Sequence, residues 1–168
     1  MRFSLSPFAV NKIIGISNSF DNDLVSGFDF NILKMKKKRL ITFIKTDYKI
    51  GGLEILIKAL KYIHSSFHLN VVGVPKNITQ KLFSNLDYEI SWFEKLDQKN
   101  VFKMLKNTEV FCLPSHSETF GVANLEAVAH CCKIVTTKIG GIPEALENYK
   151  NVTLIENPCD YNMLAQAI

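Results

Sequence analysis

The chain has 168 residues, of which 47% are hydrophobic and 21% charged, a composition typical of one globular domain and not of a disordered chain. Its formal net charge is only +4, and no apolar run reaches the ~18–20 residues that span a bilayer. The four cysteines follow neither a disulfide nor a metal-ligand spacing, so we expect a reduced, cytoplasmic setting.

The first 38 residues contain one short apolar run, Ile13-Ile14-Gly15-Ile16, which predicts a strand. We interpret this segment as an N-terminal remnant or interdomain segment. It leads into a cluster of cations formed by Lys34, Lys36, Lys37, Lys38 and Arg39. Two interpretations of the cluster are open: a solvated loop before a strand, or a peripheral contact with anionic lipid headgroups at the inner face of the membrane. Nucleic acid is not an expected partner, because no recognisable binding motif accompanies the run.

Strands and helices alternate over residues 39–168, which we take as one domain. The predicted strands are Leu40–Ile44, Phe67–Val72, Tyr88–Phe93, Val110–Leu113, Ile134–Val135 and Val152–Ile155. Helical spacing of apolar residues follows the first strand, and a further helix is predicted over 97–107. Asn77 and Asp160 are predicted helix caps, and Pro143 fits a first helical turn. The alternation predicts a Rossmann-like α/β domain with a mainly parallel sheet of about six strands and helices on both faces.

Two glutamates, Glu118 and Glu126, frame the most informative stretch of the chain. Glu118 is predicted at a loop-to-helix junction and Glu126 about two turns along the helix. At 1.5 Å per residue the two would be roughly 12 Å apart. That is too far for a carboxylate pair acting on one glycosidic bond, which needs roughly 5–9.5 Å.

The same spacing fits a ligand stretched along the helix, with an anionic middle bound by free amides at the helix start. Those amides would belong to Thr119, Phe120, Gly121 and Val122, and a glycine lets a ligand approach the backbone closely. A nucleotide-sugar has this layout, with sugar hydroxyls at the first glutamate, the diphosphate at the amides and the ribose at the second. The alternative is one glutamate that favours the helix N-terminus and another on a solvated face.

The stretch resembles the signature of the retaining group 1 glycosyltransferases, which have the GT-B fold. The family pattern is a strand ending in Pro-Ser, then E-x-F-G, L-E-A-x-A, an apolar strand and G-G-x-x-E. The matching residues are Pro114-Ser115, Glu118-Thr119-Phe120-Gly121, Leu125-Glu126-Ala127 with Ala129, Ile134-Val135, and Gly140-Gly141 with Glu144. Five sub-motifs in one order make this resemblance specific.

The resemblance implies the donor-binding half of a GT-B fold, with Glu118 as the catalytic residue near the donor sugar and Glu126 on the ribose. It implies hexosyl transfer from a nucleotide diphosphate sugar to a glycan or lipid-linked acceptor, without a metal or other cofactor. Because ligands of parallel sheets bind at the carboxyl ends of the strands, Lys45 and the Gly140-Gly141 turn are expected at the same site.

The chain departs from the family pattern after the first strand and after the central helix. Relatives carry G-R and K-G around the first loop, whereas this chain has Lys45-Thr46 and Gly51-Gly52. We expect Lys45 and Lys49 to act as point charges on the diphosphate. Cys131 stands where the family has glycine, so we expect it to adopt a helix-ending conformation that glycine tolerates better.

Two functions from different classes are open on the sequence alone. GT-B enzymes react in a cleft between two domains, and we expect only a remnant of the first domain before residue 39. The chain is therefore either a glycosyltransferase or a non-catalytic nucleotide-sugar binding module that needs a separate acceptor-domain partner chain. A dinucleotide-binding domain is not expected, because no G-x-G-x-x-G follows the first strand.

Overall fold

The computed structural model describes residues 39–83, 86 and 88–168. The strands are β1 (Arg39–Ile44), β2 (Phe67–Val72), β3 (Glu89–Phe93), β4 (Val110–Leu113), β5 (Lys133–Thr137) and β6 (Val152–Ile155). The helices are α1 (Leu53–Leu60), α2 (Lys76–Phe83), α3 (Gln98–Asn107), α4 (Val122–Ala129), α5 (Ile142–Leu146) and α6 (Tyr161–Ala167). The strand predicted at 13–16, the predicted segment 1–38 and the four lysines of the cation cluster lie outside the described residues.

The six strands form one parallel sheet in the order β3-β2-β1-β4-β5-β6. This confirms the predicted Rossmann-like domain. Because every strand runs the same way, the loops that follow the strands all meet at one edge, which we call the carboxyl edge. The strand order reverses between β1 and β4, and such a reversal opens a crevice for ligands.

The central strands are buried on both faces of the sheet, as is usual for parallel sheets. All residues of β2 and β4 are buried. Phe43 on β1 and Phe111 on β4 are fully buried in the core. The amphipathic pattern of α1 covers the sheet with its apolar residues and leaves Glu54 and Lys58 exposed. The core therefore holds the carboxyl edge as a rigid platform for its loops.

Several buried polar side chains in or beside the sheet have polar partners. His68 on β2 is buried, with its Nε2 2.8 Å from Ser91 Oγ and its Nδ1 3.3 Å from Glu89 Oε2, both on β3. The hydroxyls of Thr42 and Thr108 are 2.7 Å apart. These contacts offset the cost of burying polar groups among apolar ones.

Of the three predicted helix-start roles, those of Pro143 and Asp160 are confirmed, and Asp97 is a further cap that was not predicted. Asp97 and Asp160 cap α3 and α6 by accepting hydrogen bonds from the amides of Asn100 (2.7 Å) and Met163 (2.9 Å). Pro143 lies in the first turn of α5. The prediction for Asn77 was wrong, because α2 already begins at Lys76 and includes residue 77.

Cys131, just after α4, has a left-handed backbone with φ of 62°. Among the described residues it is the one non-glycine with a positive φ. Its amide donates to the Val128 carbonyl at 2.9 Å and closes the end of the helix. The predicted helix-ending conformation is confirmed, and the exposed cysteine carries the steric cost of its Cβ.

Replacing Cys131 with glycine should stabilise the protein by about 1 kcal/mol, because glycine adopts this conformation without a Cβ clash. Urea denaturation measures the change. Cys131→Ala is the matched control, since it also removes the thiol but keeps the Cβ. Equal effects of the two substitutions would contradict a backbone origin.

Candidate functional site

The loop between β4 and α4, residues 114–121, is held from both sides by glycines of other loops. Gly52 has a φ of +77°, and a Cβ on it would overlap the Pro114 carbonyl oxygen. On the other side, Gly140 has a φ of +56°, and a Cβ there would overlap the carbonyl oxygen of Glu118. Both positions therefore need glycine for conformation and for space.

Two backbone hydrogen bonds complete this clamp on the β4–α4 loop. The His116 amide donates to the Ile50 carbonyl at 2.8 Å, and the Gly141 amide donates to the Thr119 carbonyl at 3.0 Å. The predicted glycine turn is thus in direct contact with the backbone that carries Glu118. This contact fixes the backbone position from which the Glu118 side chain extends.

Lys45 and Glu118 form an ion pair at the centre of the carboxyl edge. Lys45 Nζ donates to Glu118 Oε2 at 2.6 Å, and the two side chains are only 25% and 13% exposed. The residues follow β1 and β4, which are neighbours at the reversal of strand order. A Cβ on Gly51 would lie 2.8 Å from Lys45 Cγ, so the lysine stem uses space that the glycine leaves open.

The sequence placed both residues at this edge but did not predict that they pair. Partial shielding makes the pair stronger than an exposed one, because less water screens the charges. Each charge also lowers the cost of burying the other. The pair presents an ammonium group and a carboxylate side by side, which suits a ligand with both an anionic group and hydroxyls.

Helix α4 begins beyond Glu118, which changes the geometry expected for the two glutamates. Gly121 is the N-cap, with a φ of 74° and no side-chain capping bond, so Thr119 and Phe120 precede the helix. Only the four steps from Val122 to Glu126 are helical, a rise of about 6 Å. The estimate of roughly 12 Å assumed a continuous helix and does not apply.

The start of α4 has the properties of an anion site. The first amides of a helix have no intrahelical acceptors, and here no side chain caps them. The flanking side chains of Phe120 and Val122 are 38% and 44% exposed, so the helix start opens to solvent. The amides of Gly121 and Val122 therefore lie where the sequence predicted free donors.

Glu126 lies half-buried on α4 and faces the start of α3. Burial raises the pKa of its carboxyl, while a hydrogen bond from the Gln98 side chain and the nearby His130 partly offset the rise. Gln98 is the first residue of α3 and was not singled out from the sequence. No spacing rule links it to Glu126, because the two meet only through helix packing.

Lys49 is exposed and lines a different cleft, together with Gly52 and His116. Lys45 does not line that cleft. Lys45 and Lys49, which were predicted to act together on the diphosphate, therefore lie in different parts of the surface.

Buried polar atoms without partners lie beneath the candidate site. Among the described residues, these atoms include Ser115 Oγ, both amide atoms of Asn124 and Thr137 Oγ1. They come from the loop after β4, the first turn of α4 and the end of β5, which all reach the carboxyl edge. Leaving such groups unpaired costs about 1–3 kcal/mol each, so apolar residues would be more stable there.

Metal-binding clusters and membrane-spanning helices are both absent from the described part of the chain. It contains no group of three or more His, Cys, Asp or Glu side chains placed to hold a metal. No helix there is long and apolar enough to cross a membrane.

Comparison with known proteins identifies the family. Residues 27–168 match the glycosyl transferases group 1, so the chain belongs to that family. An uncharacterized glycosyltransferase of Methanocaldococcus jannaschii is 27% identical over 168 residues, covering 89% of this chain and 47% of the relative. The chain spans less than half the length of the curated relatives that it matches.

Solved structures show the same fold. An E. coli trehalose-6-phosphate structure bound with UDP-2-fluoro glucose superposes with a TM-score of 0.65 at 14% identity, covering 97% of this chain and 41% of that one. The C-terminal domain of a Francisella tularensis group 1 glycosyl transferase superposes with a TM-score of 0.59 at 20% identity, covering 84% and 80% of the two chains. The domain is therefore of the GT-B type.

A double-mutant cycle with Lys45→Met and Glu118→Gln should give a coupling energy of about 1–2 kcal/mol, between the values of exposed and buried ion pairs. Each single variant leaves one shielded charge without its partner, so the double variant should be more stable than the sum of the two losses predicts. Urea denaturation of the four proteins measures the coupling. A value near zero would mean that the pair is fully screened by water.

Glu126→Gln should gain stability relative to the parent chain as the pH rises from about 4 to about 7. The raised pKa means that the folded state holds this proton more tightly than the unfolded chain does. Ionising Glu126 therefore costs stability above the unfolded-state value of about 4.3, and glutamine does not ionise. Denaturation at both pH values measures the difference. The same difference at both would show that burial does not disfavour the carboxylate.

Proposed function

We propose that this chain binds a nucleotide diphosphate sugar at the carboxyl edge and serves as the donor domain of a retaining hexosyltransferase. The Lys45–Glu118 ion pair is the observation that carries the proposal. The pair lies beside the reversal of strand order, and its Glu118 belongs to the loop that leads to the uncapped start of α4. The Lys45 ammonium group and the free amides would bind the diphosphate of one donor. The Glu118 carboxylate would bind the hydroxyls of its sugar.

Donor binding would rearrange the ion pair. The diphosphate carries more negative charge than one carboxylate, so Lys45 Nζ turns toward it and shares its protons between phosphate and Glu118. The amides of Gly121 and Val122 hold the remaining phosphate oxygens at the helix start. Glu118, released in part from Lys45, accepts hydrogen bonds from hydroxyls of the donor sugar.

We assign the ribose to Glu126. Its carboxylate already accepts a hydrogen bond from Gln98 and has further lone pairs for hydroxyls. Gly140 and Gly141 act by fixing the backbone of the β4–α4 loop, which sets the distance between the sugar end and the phosphate end of the site.

The reaction would break the bond between the sugar and the diphosphate, and the acceptor hydroxyl would take the sugar with retained configuration. Lys45 and the α4 amides stabilise charge as the diphosphate departs, so the proposal needs no metal. A glycan or lipid-linked acceptor would be held by a second domain or a partner chain. If such a partner is absent, the same residues still form a binding module for the donor.

The binding step is tested with UDP and uridine on Lys45→Met, by calorimetry. We expect the parent chain to bind UDP with a dissociation constant on the order of 0.1–1 mM, because an open site keeps its charges hydrated. Lys45→Met should weaken UDP binding about tenfold, since it removes a cation and leaves Glu118 facing the diphosphate. Uridine lacks the diphosphate and should be affected little.

Two further variants make this test specific. Glu126→Gln should weaken UDP and uridine alike, because both contain the ribose. Lys61→Met removes an exposed lysine at the C-terminal end of α1 and should change neither affinity. Equal losses for both ligands on Lys45→Met would remove Lys45 from the diphosphate site. Transfer by the purified chain would show that it needs no acceptor-domain partner.

A further inference from the structure

A second cleft runs from the carboxyl edge along α1, past the start of α6. Its volume is about 440 Å³, within the range of about 300–1,000 Å³ that small-molecule sites occupy. The side chains that matter for its chemistry are Lys49, Glu54, Lys58, His116, Cys159 and Tyr161. None of them belongs to the Lys45–Glu118 pair or to α4, so the cleft is a separate feature of the surface.

The charges in this cleft favour an anion. Lys49 and Lys58 contribute two ammonium groups, and His116 adds an imidazole that donates a hydrogen bond in either of its protonation states. Glu54 is the single carboxylate among the lining residues. Apart from the histidine, the two lysines and the one glutamate give the lining a net charge of one positive unit.

The walls of the cleft are held in place by their own hydrogen bonds. On one side, Asp47 Oδ1 accepts from the amides of Lys49 (3.1 Å) and Ile50 (3.0 Å). On the other, the Tyr161 amide donates to the Cys159 carbonyl at 3.1 Å in the turn before α6. The site is thus preformed, which reduces the entropy lost on binding.

An aromatic side chain forms part of the cleft wall. Tyr161 is half-buried, and Lys58 Nζ lies 5.7 Å from the centre of its ring. The ring orients this ammonium group through a cation–π contact. Aromatic rings also pack on the apolar C–H faces of sugar rings, while the Glu54 carboxylate accepts hydrogen bonds from hydroxyls.

We propose that this cleft binds a sugar phosphate, at a site separate from the donor site at Lys45 and Glu118. The phosphate lies among Lys49, Lys58 and His116, the sugar ring packs on Tyr161, and its hydroxyls reach Glu54. A phosphate ion without a sugar would have no hydroxyls for Glu54 and no ring to pack on Tyr161. A nucleoside diphosphate would bring more negative charge close to the Glu54 carboxylate than the net positive charge of the lining compensates. The site does not depend on donor binding.

The cleft contains its own reporter, because Cys159 lines it and is exposed. Cys131 is also exposed but lies past the C-terminal end of α4, and therefore far from the carboxyl edge. The whole chain is treated with iodoacetamide, and the alkylation rates of both cysteines are followed by peptide mass spectrometry. We expect millimolar glucose 6-phosphate to slow alkylation of Cys159 at least threefold and to leave Cys131 unchanged.

Glucose, inorganic phosphate and UDP at the same concentration should each protect Cys159 less than glucose 6-phosphate does. Lys49→Met and Lys58→Met should each raise the concentration needed for protection about threefold to tenfold. Lys61→Met is the matched control on the same helix and should not change it. Glu126→Gln should also keep the protection, which separates a failure of this site from a failure of the donor site.

Three results would overturn the proposal. Absence of protection by glucose 6-phosphate would rule out the site. Equal protection by inorganic phosphate would remove the sugar from it. Stronger protection by UDP, lost in Glu126→Gln, would make the cleft part of the donor site.

Discussion

The clamp on the β4–α4 loop is the constraint on which both sites depend. Gly52 on one side and Gly140 on the other lie so close to the loop's carbonyl oxygens that no Cβ fits. The loop backbone therefore has one position between two neighbours. Within this loop, Glu118 pairs with Lys45, and His116, two residues earlier, lines the second cleft. One packing arrangement thus sets the geometry of both sites.

The position of Lys45 depends on a glycine in the loop before α1. Gly51, two residues before α1, has no side chain of its own to fill the space beside it. The space beside that glycine is filled by the stem of Lys45 and by the ring of Phe43, whose Cζ would be 2.8 Å from a Cβ on Gly51. A cation thus reaches the carboxyl edge from the end of β1. Lys45 in this position needs the absence of a side chain at residue 51.

The fold followed from the sequence because its signals are local. Short segments rich in apolar residues and bounded by turns, such as Phe67–Val72 and Val152–Ile155, predicted strands, and the structure has the same bounds. Asp97 and Asp160 cap helices through contacts three residues away. The site was less predictable, since the Lys45–Glu118 pair joins residues 73 positions apart, and Gln98 meets Glu126 only through the packing of α3 on α4. The roles of Glu118 and Glu126 toward a ligand stay predictions.

The two sites differ in what a ligand must displace. At the donor site, the charge of Lys45 is already compensated by Glu118. An incoming diphosphate must therefore weaken this ion pair in order to bind the lysine. In the second cleft, Lys49 and Lys58 outnumber the single carboxylate, and an anion adds charge compensation without breaking a contact of this kind. Salt screens the attraction in the open cleft over about 8–10 Å. At the donor site the same salt also weakens the competing Lys45–Glu118 attraction, so the two effects partly cancel. Binding in the second cleft should therefore be the more salt-sensitive of the two.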